Sequence, residues 1–446
     1  MPVHAIDSLF FRDLYGTPEM RAVWDDLHLL QKWLDYEAAL ARAEAEIGIV
    51  PAEAAAEIAR RAQASLMDVE AIKRGVDKTV HPLVSLIWQL SQHCEGDAGH
   101  YVHWGATTQD VMDTALILQI KDSYPLFEQA LEGLMTALAE QAAEHRDTPM
   151  AGRTHGQQAL PITFGFKVAV WLAEIQRHRA RLDEIRPRVL IGEFGGAVGT
   201  LASVSDRGLA IQAALMRELG LNVPVIAWHT ARDHLAEFAA LLAMITATLG
   251  KIAHEVIDLQ KVEFGEVEEP FEMGKVGSST MPQKRNPMLC EAILTLTRLT
   301  RTTATTAIDA MFHEHERDWS SFQMEWAYLP ELCVMTHGAL SLTERVVQGL
   351  VIYPAAMMRN LNASGGLMLA ERVMLELGAS IGRQHAHDVI YENAMRAFEE
   401  RRPFGDVLKE DPRVTDHLTP PEVDALLDPI QYTGLSGEFV DRVIGA

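Results

Sequence analysis

FEMGKVGSSTMPQKRNPMLC, residues 271–290, is the stretch from which the fold of this chain can be worked out. Two glycines precede a Ser-Ser-Thr run without apolar periodicity, and a helical pattern starts after Pro287. Proline is favoured in the first turn of a helix, where a backbone N–H would lack a partner anyway. The pattern predicts a glycine-bounded loop that brings hydroxyls, Lys284 and Asn286 to a helix N-terminus, where free N–H groups favour an anion.

The string GSSTMPQKRNP, residues 277–287, resembles the signature GSSxMPxKxNP of the fumarase/aspartase superfamily, and every fixed position is filled. That superfamily includes argininosuccinate lyase, adenylosuccinate lyase and 3-carboxy-cis,cis-muconate cycloisomerase. The resemblance implies an all-α fold of three domains, in which a central bundle of long helices forms the core of a homotetramer. It also implies an enzyme that acts on a small anionic di- or tricarboxylate.

Length and composition agree with a large helical enzyme. The 446 residues can bury a sizeable core, and aromatic residues make up only 7% of them. The formal charge of −23 argues against nucleic acid or an anionic membrane as a partner, so an anionic substrate would need a local cationic pocket. We expect no signal peptide and no transmembrane helix, and the three widely spaced cysteines predict reduced thiols in a cytoplasmic protein.

The pattern of apolar residues divides the chain into three predicted domains. Residues 1–100 are helical with interruptions, residues 101–350 carry long periodic segments together with the signature loop 271–287, and residues 351–446 are broken into short helices by proline and glycine. We therefore expect an N-terminal helical domain, a central long-helix bundle and a small C-terminal helical domain.

Two apolar stripes mark the predicted bundle. In residues 164–182 and 238–259, apolar side chains alternate spacings of three and four, which is typical of a bundle or coiled-coil seam. Leu241 and Met244 add apolar positions beside the second stripe. A helix that is apolar on more than one face is buried by several neighbours, and we expect these to include other subunits.

A second polar cluster, YVHWGATTQDVMDTA, occupies residues 101–115. Taken alone, it is typical of a helix start, with Thr107 or Thr108 as N-cap and Asp110 in the first turn. It also resembles the HxGxTSxD stretch of adenylosuccinate lyase and its relatives, with Thr108 in place of the serine. The resemblance implies that Thr107, Thr108 and Gln109 bind a carboxylate or phosphate of the substrate.

The third cluster is GRTHGQQ, residues 152–158. A lone histidine in a polar turn is more often structural than catalytic. The string resembles the GRTHGQ block of the superfamily, however, which implies that His155 protonates the leaving group or orients the group that does so. Further substrate-binding candidates from this block are Arg153, Thr154 and Gln157.

By the same resemblance, Ser278 is the general base of the reaction. Removing a proton beside a carboxylate creates a dianionic aci-carboxylate, which needs a strong base and donors aimed at the developing charge. A serine alkoxide must itself be stabilised, and Lys284 would supply the positive charge and Asn286 a neutral donor. Nothing in this chemistry requires a metal or a cofactor. The remaining substrate-binding candidates are Ser279, Met281 and Arg317.

Three weaker patterns carry expectations of their own. Gly274 and Gly277 are predicted hinges for a loop that closes over substrate. The HEHE run at residues 313–316 points its two histidines to divergent faces of a helix, so we predict no metal site there. The acidic run at residues 266–269 is interpreted as a solvated charge run.

Two reactions remain open on the sequence. His155 favours β-elimination from a substituted succinate with release of fumarate, and C–N cleavage is preferred over C–O cleavage. Downstream strings, such as His315–Asp318 and Leu427–Pro429, resemble the muconate cycloisomerase branch and favour cycloisomerisation. Adenylosuccinate is the less favoured substrate because Tyr15-Gly16 stands where the Arg-Tyr pair of its phosphate site would be. A non-catalytic structural homologue could lose Ser278, yet the motif is complete. We expect active sites shared between subunits.

Overall fold

The computed structural model describes residues 4–271, 280–281 and 283–445, and helices dominate the described chain. The predicted all-α fold is confirmed. The helices of more than twenty residues are α3 (Asp26–Glu46), α7 (Thr108–Glu144), α8 (Phe164–Val189), α10 (Asp233–Gln260), α11 (Met288–Asp309) and α12 (Trp319–Gln348).

Shorter helices surround these long ones along the sequence. Before α7 and between α8 and α10 they are α1 (Arg12–Tyr15), α2 (Pro18–Val23), α4 (Ala52–Arg61), α5 (Val69–Thr79), α6 (Val84–His93) and α9 (Gly208–Leu219). After α12 they are α13 (Pro354–Leu361), α14 (Ala370–Ile381), α15 (Arg383–Glu400), α16 (Phe404–Glu410), α17 (Pro412–Thr415), α18 (Pro420–Leu426) and α19 (Ser436–Ile444). There are two antiparallel strand pairs. β1 (Pro149–Thr154) and β2 (Gln157–Thr163) form a hairpin, and β3 (Val267–Glu268) pairs with the distant β4 (Val351–Ile352).

Backbone contacts divide the chain into two compact units. Unit 1 comprises Met1–Leu131, His178–Ala247 and Thr295–Ser341, and unit 2 comprises the three intervening and following segments, Glu132–Arg177, Thr248–Leu294 and Leu342–Ala446. Every boundary falls inside one of the helices α7, α8, α10, α11 and α12, so each of these contributes residues to both units. The division into three domains stays a prediction.

The two apolar stripes are buried by their own chain. From Phe164 to Leu182 the stripe residues are at most 5% exposed, and from Phe238 to Leu259 they are at most 3% exposed. Leu241 is buried as well, whereas Met244 is 44% exposed. Contrary to the expectation, the stripes therefore do not need other subunits to cover them, because neighbouring segments of one chain already enclose them. This leaves the predicted homotetramer without that support.

Helix α10 is long and apolar enough to cross a membrane when judged by length and composition alone. Its most apolar window has a mean hydropathy of 1.6, but 61% of that window is buried inside the protein. A core helix that packs against several neighbours has the same composition as a membrane span. The burial of α10 matches that of a core helix.

Candidate active site

His155 lies at the tip of the β1–β2 hairpin in unit 2. Thr154 pairs with Gln157, so His155 and Gly156 form a two-residue turn, and both have positive φ, 53° and 75°. This backbone is that of a type I′ hairpin turn, which favours Asn or Gly and disfavours most other residues. The imidazole is exposed, and no partner for it is found among the described residues. A histidine kept in a strained, exposed position points to a functional requirement.

Arg153, one strand residue before Thr154, is held by a buried carboxylate. Its Nη1 and Nη2 donate to Oε2 and Oε1 of Glu266 at 2.9 and 2.6 Å, and its guanidinium lies 4.8 Å from the centre of the Phe264 ring. The Glu266 side chain is fully buried. A bidentate pair of this kind occupies most of the guanidinium. Arg153 therefore fixes the hairpin, and its role as a substrate ligand stays a prediction.

The acidic run at residues 266–269 is not a solvated charge run, and that interpretation was wrong. Glu266 is 0% and Glu269 3% exposed. Glu268 accepts hydrogen bonds from Arg285 Nη1 at 2.7 Å and from the Tyr353 hydroxyl at 2.6 Å. Glu269 accepts from the N–H groups of Leu289 and Cys290, which open helix α11. The run is thus buried against the partners that anchor the end of the signature loop.

Lys284 and Asn286 line an open groove of about 620 Å³ in unit 2. Met281 lines the same groove, and Lys284 is exposed. Arg285 lies between the two candidates, and its carbonyl accepts from Gln260 Nε2 at 3.2 Å. The structure therefore brings three of the predicted residues to one cavity that is large enough for a small carboxylate.

Four of the predicted loop residues lie outside the described part of the chain. They are the proposed base, its neighbour and the two hinge glycines: Ser278, Ser279, Gly274 and Gly277. Their predicted roles stay predictions. Helix α11 begins at Met288, directly after Pro287, as the proline predicts.

In unit 1, Thr107 immediately precedes the first residue of helix α7, Thr108. The Thr107 N–H donates to Oδ2 of Asp110 at 2.9 Å, and the Asp110 N–H donates to the Thr107 carbonyl. An acidic side chain that accepts from the residue before the helix, three positions earlier, is half of a capping box. The expected helix start is confirmed, and both threonine hydroxyls lie at its N-terminus.

Gln109 and Arg317 meet beside this helix start. Arg317 Nε donates to Gln109 Oε1 at 2.7 Å, and its Nη1 donates to the Ala197 carbonyl at 2.9 Å. Gln109 Nε2 donates to the His229 carbonyl at 2.9 Å. Three segments far apart in sequence are thereby joined around one exposed guanidinium, which is a suitable group for binding a carboxylate.

His81 also lies at this helix start, although no sequence motif marks it as a site residue. Its Nδ1 accepts from the Val84 N–H at 3.4 Å, which places the proton of the neutral ring on Nε2, and Nε2 donates to Thr108 Oγ1 at 3.2 Å. Burial, together with the nearby charge of His103, holds the pKa of His81 below its usual value. The Thr108 hydroxyl proton then remains available for a substrate oxygen. The only sequence signal was a His-Pro pair at the end of a polar loop.

A second histidine near the helix start is charged more easily. Burial lowers the pKa of His103, but the Glu37 carboxylate, 2.7 Å from Nδ1, and then Asp110 raise it above its usual value.

In the described chain, one group of side chains, Asp110, Glu193 and His229, has the spacing of a metal site, with ligand atoms within 4.8 Å.

The hydrogen bonds of Asp110 argue against that metal site. Its two oxygens accept from four donors, the N–H groups of Thr107, Gly195 and Gly196 and the His229 ring, at 2.7–3.0 Å. A carboxylate has about four acceptor positions, so none is left for a cation. We interpret the group as a hydrogen-bonded cluster.

Comparisons with known proteins agree with the three sequence blocks. A family model described as Lyase matches residues 15–299, and one described as Adenylosuccinate lyase C-terminus matches residues 366–443. N-acetyl-S-(2-succino)cysteine lyase of Enterococcus italicus is 44% identical over 446 residues, which cover 100% of this chain and 98% of the relative. The 3-carboxy-cis,cis-muconate cycloisomerase of Pseudomonas aeruginosa is 44% identical over 441 residues, 98% of this chain and 96% of the relative.

A solved structure shows the same fold. The crystal structure of fumarate lyase from Mesorhizobium sp. BNC1 superimposes with a TM-score of 0.92 at 43% identity, over 97% of this chain and 98% of that chain. The chain belongs to the fumarase/aspartase superfamily. The recognition made from the signature string is thereby confirmed, and the protein is a lyase or cycloisomerase of that superfamily, whose members act on small carboxylate substrates.

In this fumarase/aspartase enzyme the candidate residues fall into two sets. Unit 1 carries the hydroxyl and guanidinium donors of Thr107, Thr108 and Arg317, with Gln109 bonded to Arg317 and the newly found His81 bonded to Thr108. Unit 2 carries the hairpin tip and the groove beside the signature loop: Arg153, Thr154, His155, Gln157, Met281, Lys284 and Asn286. The donors in unit 1 are suited to binding a substrate carboxylate. The Lys284 cation and the exposed His155 imidazole in unit 2 are suited to proton transfer.

Proposed function

We propose that this enzyme catalyses β-elimination from a 2-substituted succinate and releases fumarate without a cofactor. The observation that carries the proposal is His155. It is exposed at a turn whose backbone favours Asn or Gly over histidine, so the position keeps an imidazole where another residue would be more stable. An elimination that expels a basic group needs such a proton donor.

The leaving atom is proposed to be sulfur or nitrogen. Sulfur ranks first because a relative that is 44% identical over the whole chain is named for an S-(2-succino) compound. Nitrogen follows from the sequence-based preference for C–N over C–O cleavage. A thiol with a pKa of about 8.5 leaves readily as thiolate, whereas an amine must be protonated before it leaves. His155 is therefore essential for a nitrogen substituent and less so for a sulfur one.

The proposed roles follow the two sets of residues. Ser278 removes the proton beside a carboxylate, and Lys284 stabilises the alkoxide and the dianionic intermediate. Asn286 donates to a carboxylate oxygen. Thr107, Thr108 and Arg317 hold a carboxylate of the substrate.

A second candidate is cycloisomerisation of a carboxymuconate. It is favoured by the identity of 44% with the Pseudomonas aeruginosa cycloisomerase over 98% of this chain. The same base, cation and carboxylate donors would serve that reaction in the direction of intramolecular addition. His155 is the observation against it, because ring closure by a carboxylate expels no group that needs a proton.

A spectrophotometric panel distinguishes the two. Purified enzyme is offered N-acetyl-S-(2-succino)cysteine, N-substituted aspartates, argininosuccinate, adenylosuccinate and 3-carboxy-cis,cis-muconate at equal concentration. We expect fumarate absorbance to appear with a succinate whose substituent is bound through sulfur or nitrogen. Loss of the diene absorbance with 3-carboxymuconate, and no fumarate from any succinate, would replace the proposed function by the second candidate.

We also propose that the enzyme is a homotetramer with sites shared between subunits. Apolar side chains remain exposed on three of the long helices, with Val170 and Met244 each 44% and Ile308 59% exposed. Exposed apolar residues on helices that otherwise form a core are typical of subunit interfaces. A shared site would combine His155 of one chain with Ser278 of another.

A further inference from the structure

Gln109 is almost completely buried, at 2% exposure, although its motif suggests a substrate ligand. Both ends of its carboxamide are occupied by the protein, Nε2 by the His229 carbonyl and Oε1 by Arg317 Nε. A carboxamide whose oxygen and nitrogen are both hydrogen-bonded within the protein orients those partners and does not bind substrate itself. We propose that Gln109, backed by the Asp110–His229 pair, is a positioning residue for Arg317. The proposal rests on the proposed function, in which Arg317 binds a substrate carboxylate.

The chemistry of the two contacts requires a carboxamide at this position. Arginine offers only donors and a backbone carbonyl only an acceptor, so the group between them must accept on one side and donate on the other. Glutamine does both in one orientation. Glutamate would accept from Arg317 but turn a second oxygen towards the His229 carbonyl, and leucine would leave both groups unpaired. A buried polar group that loses its partner is destabilising, so either replacement should be felt at this site.

The His229 carbonyl is itself fixed. The His229 ring donates from Nε2 to Asp110 Oδ1 at 2.7 Å, and both side chains are buried. Asp110 also accepts from the N–H groups of Gly195 and Gly196 at 3.0 and 2.9 Å. The buried Asp110 carboxylate thus anchors both His229, whose carbonyl accepts from Gln109, and the loop that follows Gly195.

That loop closes a ring of hydrogen bonds around Arg317. Ala197 follows Gly196 directly, and its carbonyl accepts from Arg317 Nη1 at 2.9 Å. The guanidinium is therefore held at Nε by Gln109 and at Nη1 by Ala197, and both contacts lead back to Asp110. No other hydrogen bond to this guanidinium is found among the described residues.

The result is an exposed arginine that is already ordered. Two of its five N–H groups are occupied, and no partner for the others is found among the described residues. A free arginine side chain loses rotamer entropy when it is immobilised. Because Arg317 is already ordered in the free protein, a carboxylate that binds to it does not have to offset that loss of entropy.

A double-mutant cycle tests the proposal. Gln109→Leu and Arg317→Leu are made singly and together, and kcat and KM are measured with the substrate found in the panel. We expect each single variant to lower kcat/KM by roughly tenfold or more, mainly through KM, and the double variant to be no worse than Arg317→Leu. If Gln109 acts only through Arg317, replacing Gln109 should not lower kcat/KM further once Arg317 has been replaced.

Gln119→Leu is the matched control. Gln119 lies on the same helix, is also 2% exposed, and donates from Nε2 to the Val23 carbonyl at 2.8 Å. Its loss should lower the melting temperature about as much as the loss of Gln109 while leaving KM unchanged. A KM that rises equally in both variants would show that general loosening of α7, and not Arg317, is responsible.

Two outcomes overturn the proposal. If Gln109→Leu costs the same factor with or without Arg317, then Gln109 acts independently of it. If crystal structures of the wild type and of Gln109→Leu show an unmoved guanidinium, positioning is excluded even for an enzyme that turns over no compound in the panel. The cycle can be run equally with 3-carboxymuconate, so a failure of the proposed function appears as absent fumarate and not as additivity.

Discussion

The start of helix α7 and the tip of the β1–β2 hairpin both carry residues expected to touch substrate, and they are built in opposite ways. Asp110 is fully buried and accepts four hydrogen bonds that fix Thr107, His229 and the loop after Gly195. His155 is exposed, has a strained backbone and is positioned by the turn alone. The first region is rigid because of its partners, and the second because of its backbone.

The difference teaches how each region should fail. A substitution in the α7 cluster removes partners from buried groups, so binding and stability fall together. A substitution at the hairpin tip removes no contact, so activity changes while stability shifts only slightly, through the backbone of the turn. Residues of the second kind give clean tests of chemistry, and residues of the first kind need a stability control.

The largest expected effect is on turnover. Ser278→Ala should lower kcat by roughly 10³-fold or more while the melting temperature stays unchanged, because the substitution removes the proposed base and leaves the α7 cluster intact. Steady-state kinetics on the substrate found in the panel, together with calorimetry, measure both quantities. A variant that keeps about a tenth of the wild-type kcat would remove Ser278 from the mechanism.

The next effect is a gain of activity on mixing. If His155 and Ser278 of one site come from different chains, His155→Asn and Ser278→Ala proteins that are each inactive on a nitrogen-linked succinate should complement each other on that substrate after subunit exchange. With random assembly, each site receives both intact residues with a probability of about one half times one half, so roughly a quarter of wild-type activity returns. Labelled subunits confirm the exchange. Demonstrated exchange without activity would place both residues in the site of a single chain.

Local and motif-based features could be predicted from the sequence. The helix start at Thr107 or Thr108, the helix start after Pro287 and the superfamily itself follow from strings of at most fifteen residues. These features depend on neighbours along the chain, which a single sequence contains.

Pairings between distant residues could not be predicted. From the sequence, Glu266 is expected to be solvated. The structure shows instead that it binds Arg153, 113 positions earlier in the chain. His81 has no visible role until its ring is found beside Thr108. A charged or aromatic residue has the same local pattern whether its partner is water or a distant side chain, because burial is decided by tertiary contacts.

A smaller effect concerns pH and the buried region. Burial first of all, and then Asp110 and Asp113, raise the pKa of Glu193 to about 8, against the opposing charge of His229. Glu193 is therefore protonated in the folded protein near neutrality but ionised in the unfolded chain. Its contribution to stability is complete below about pH 4.5 and is lost as the pH rises towards 8, by about 2 kcal/mol between pH 6 and pH 8.

Glu193→Gln should flatten that decline. The amide keeps an acceptor for the Trp228 N–H, which now donates to Glu193 Oε2, and it does not titrate. Melting temperatures of wild type and variant between pH 6 and pH 8 test the expectation. Glu46→Gln is the control, because Glu46 is half exposed and pairs with Arg217 at the surface. An equally steep decline in Glu193→Gln would locate the pH dependence elsewhere.

The smallest effect is a gain in stability at the hairpin tip. Type I′ turns prefer Asn-Gly, so His155→Asn should relieve the strain of a positive φ of 53° and stabilise the protein by about 0.5 kcal/mol. His155→Ala is the matched variant, because alanine disfavours this conformation and should lower stability slightly. Both remove the imidazole, so both should lose activity to the same extent, more with a nitrogen-linked than with a sulfur-linked substituent. Calorimetry and kinetics on the two variants separate backbone from side chain. Equal melting temperatures would mean that the turn is not strained, whereas unequal activities would mean that His155 acts through the turn and not through its proton.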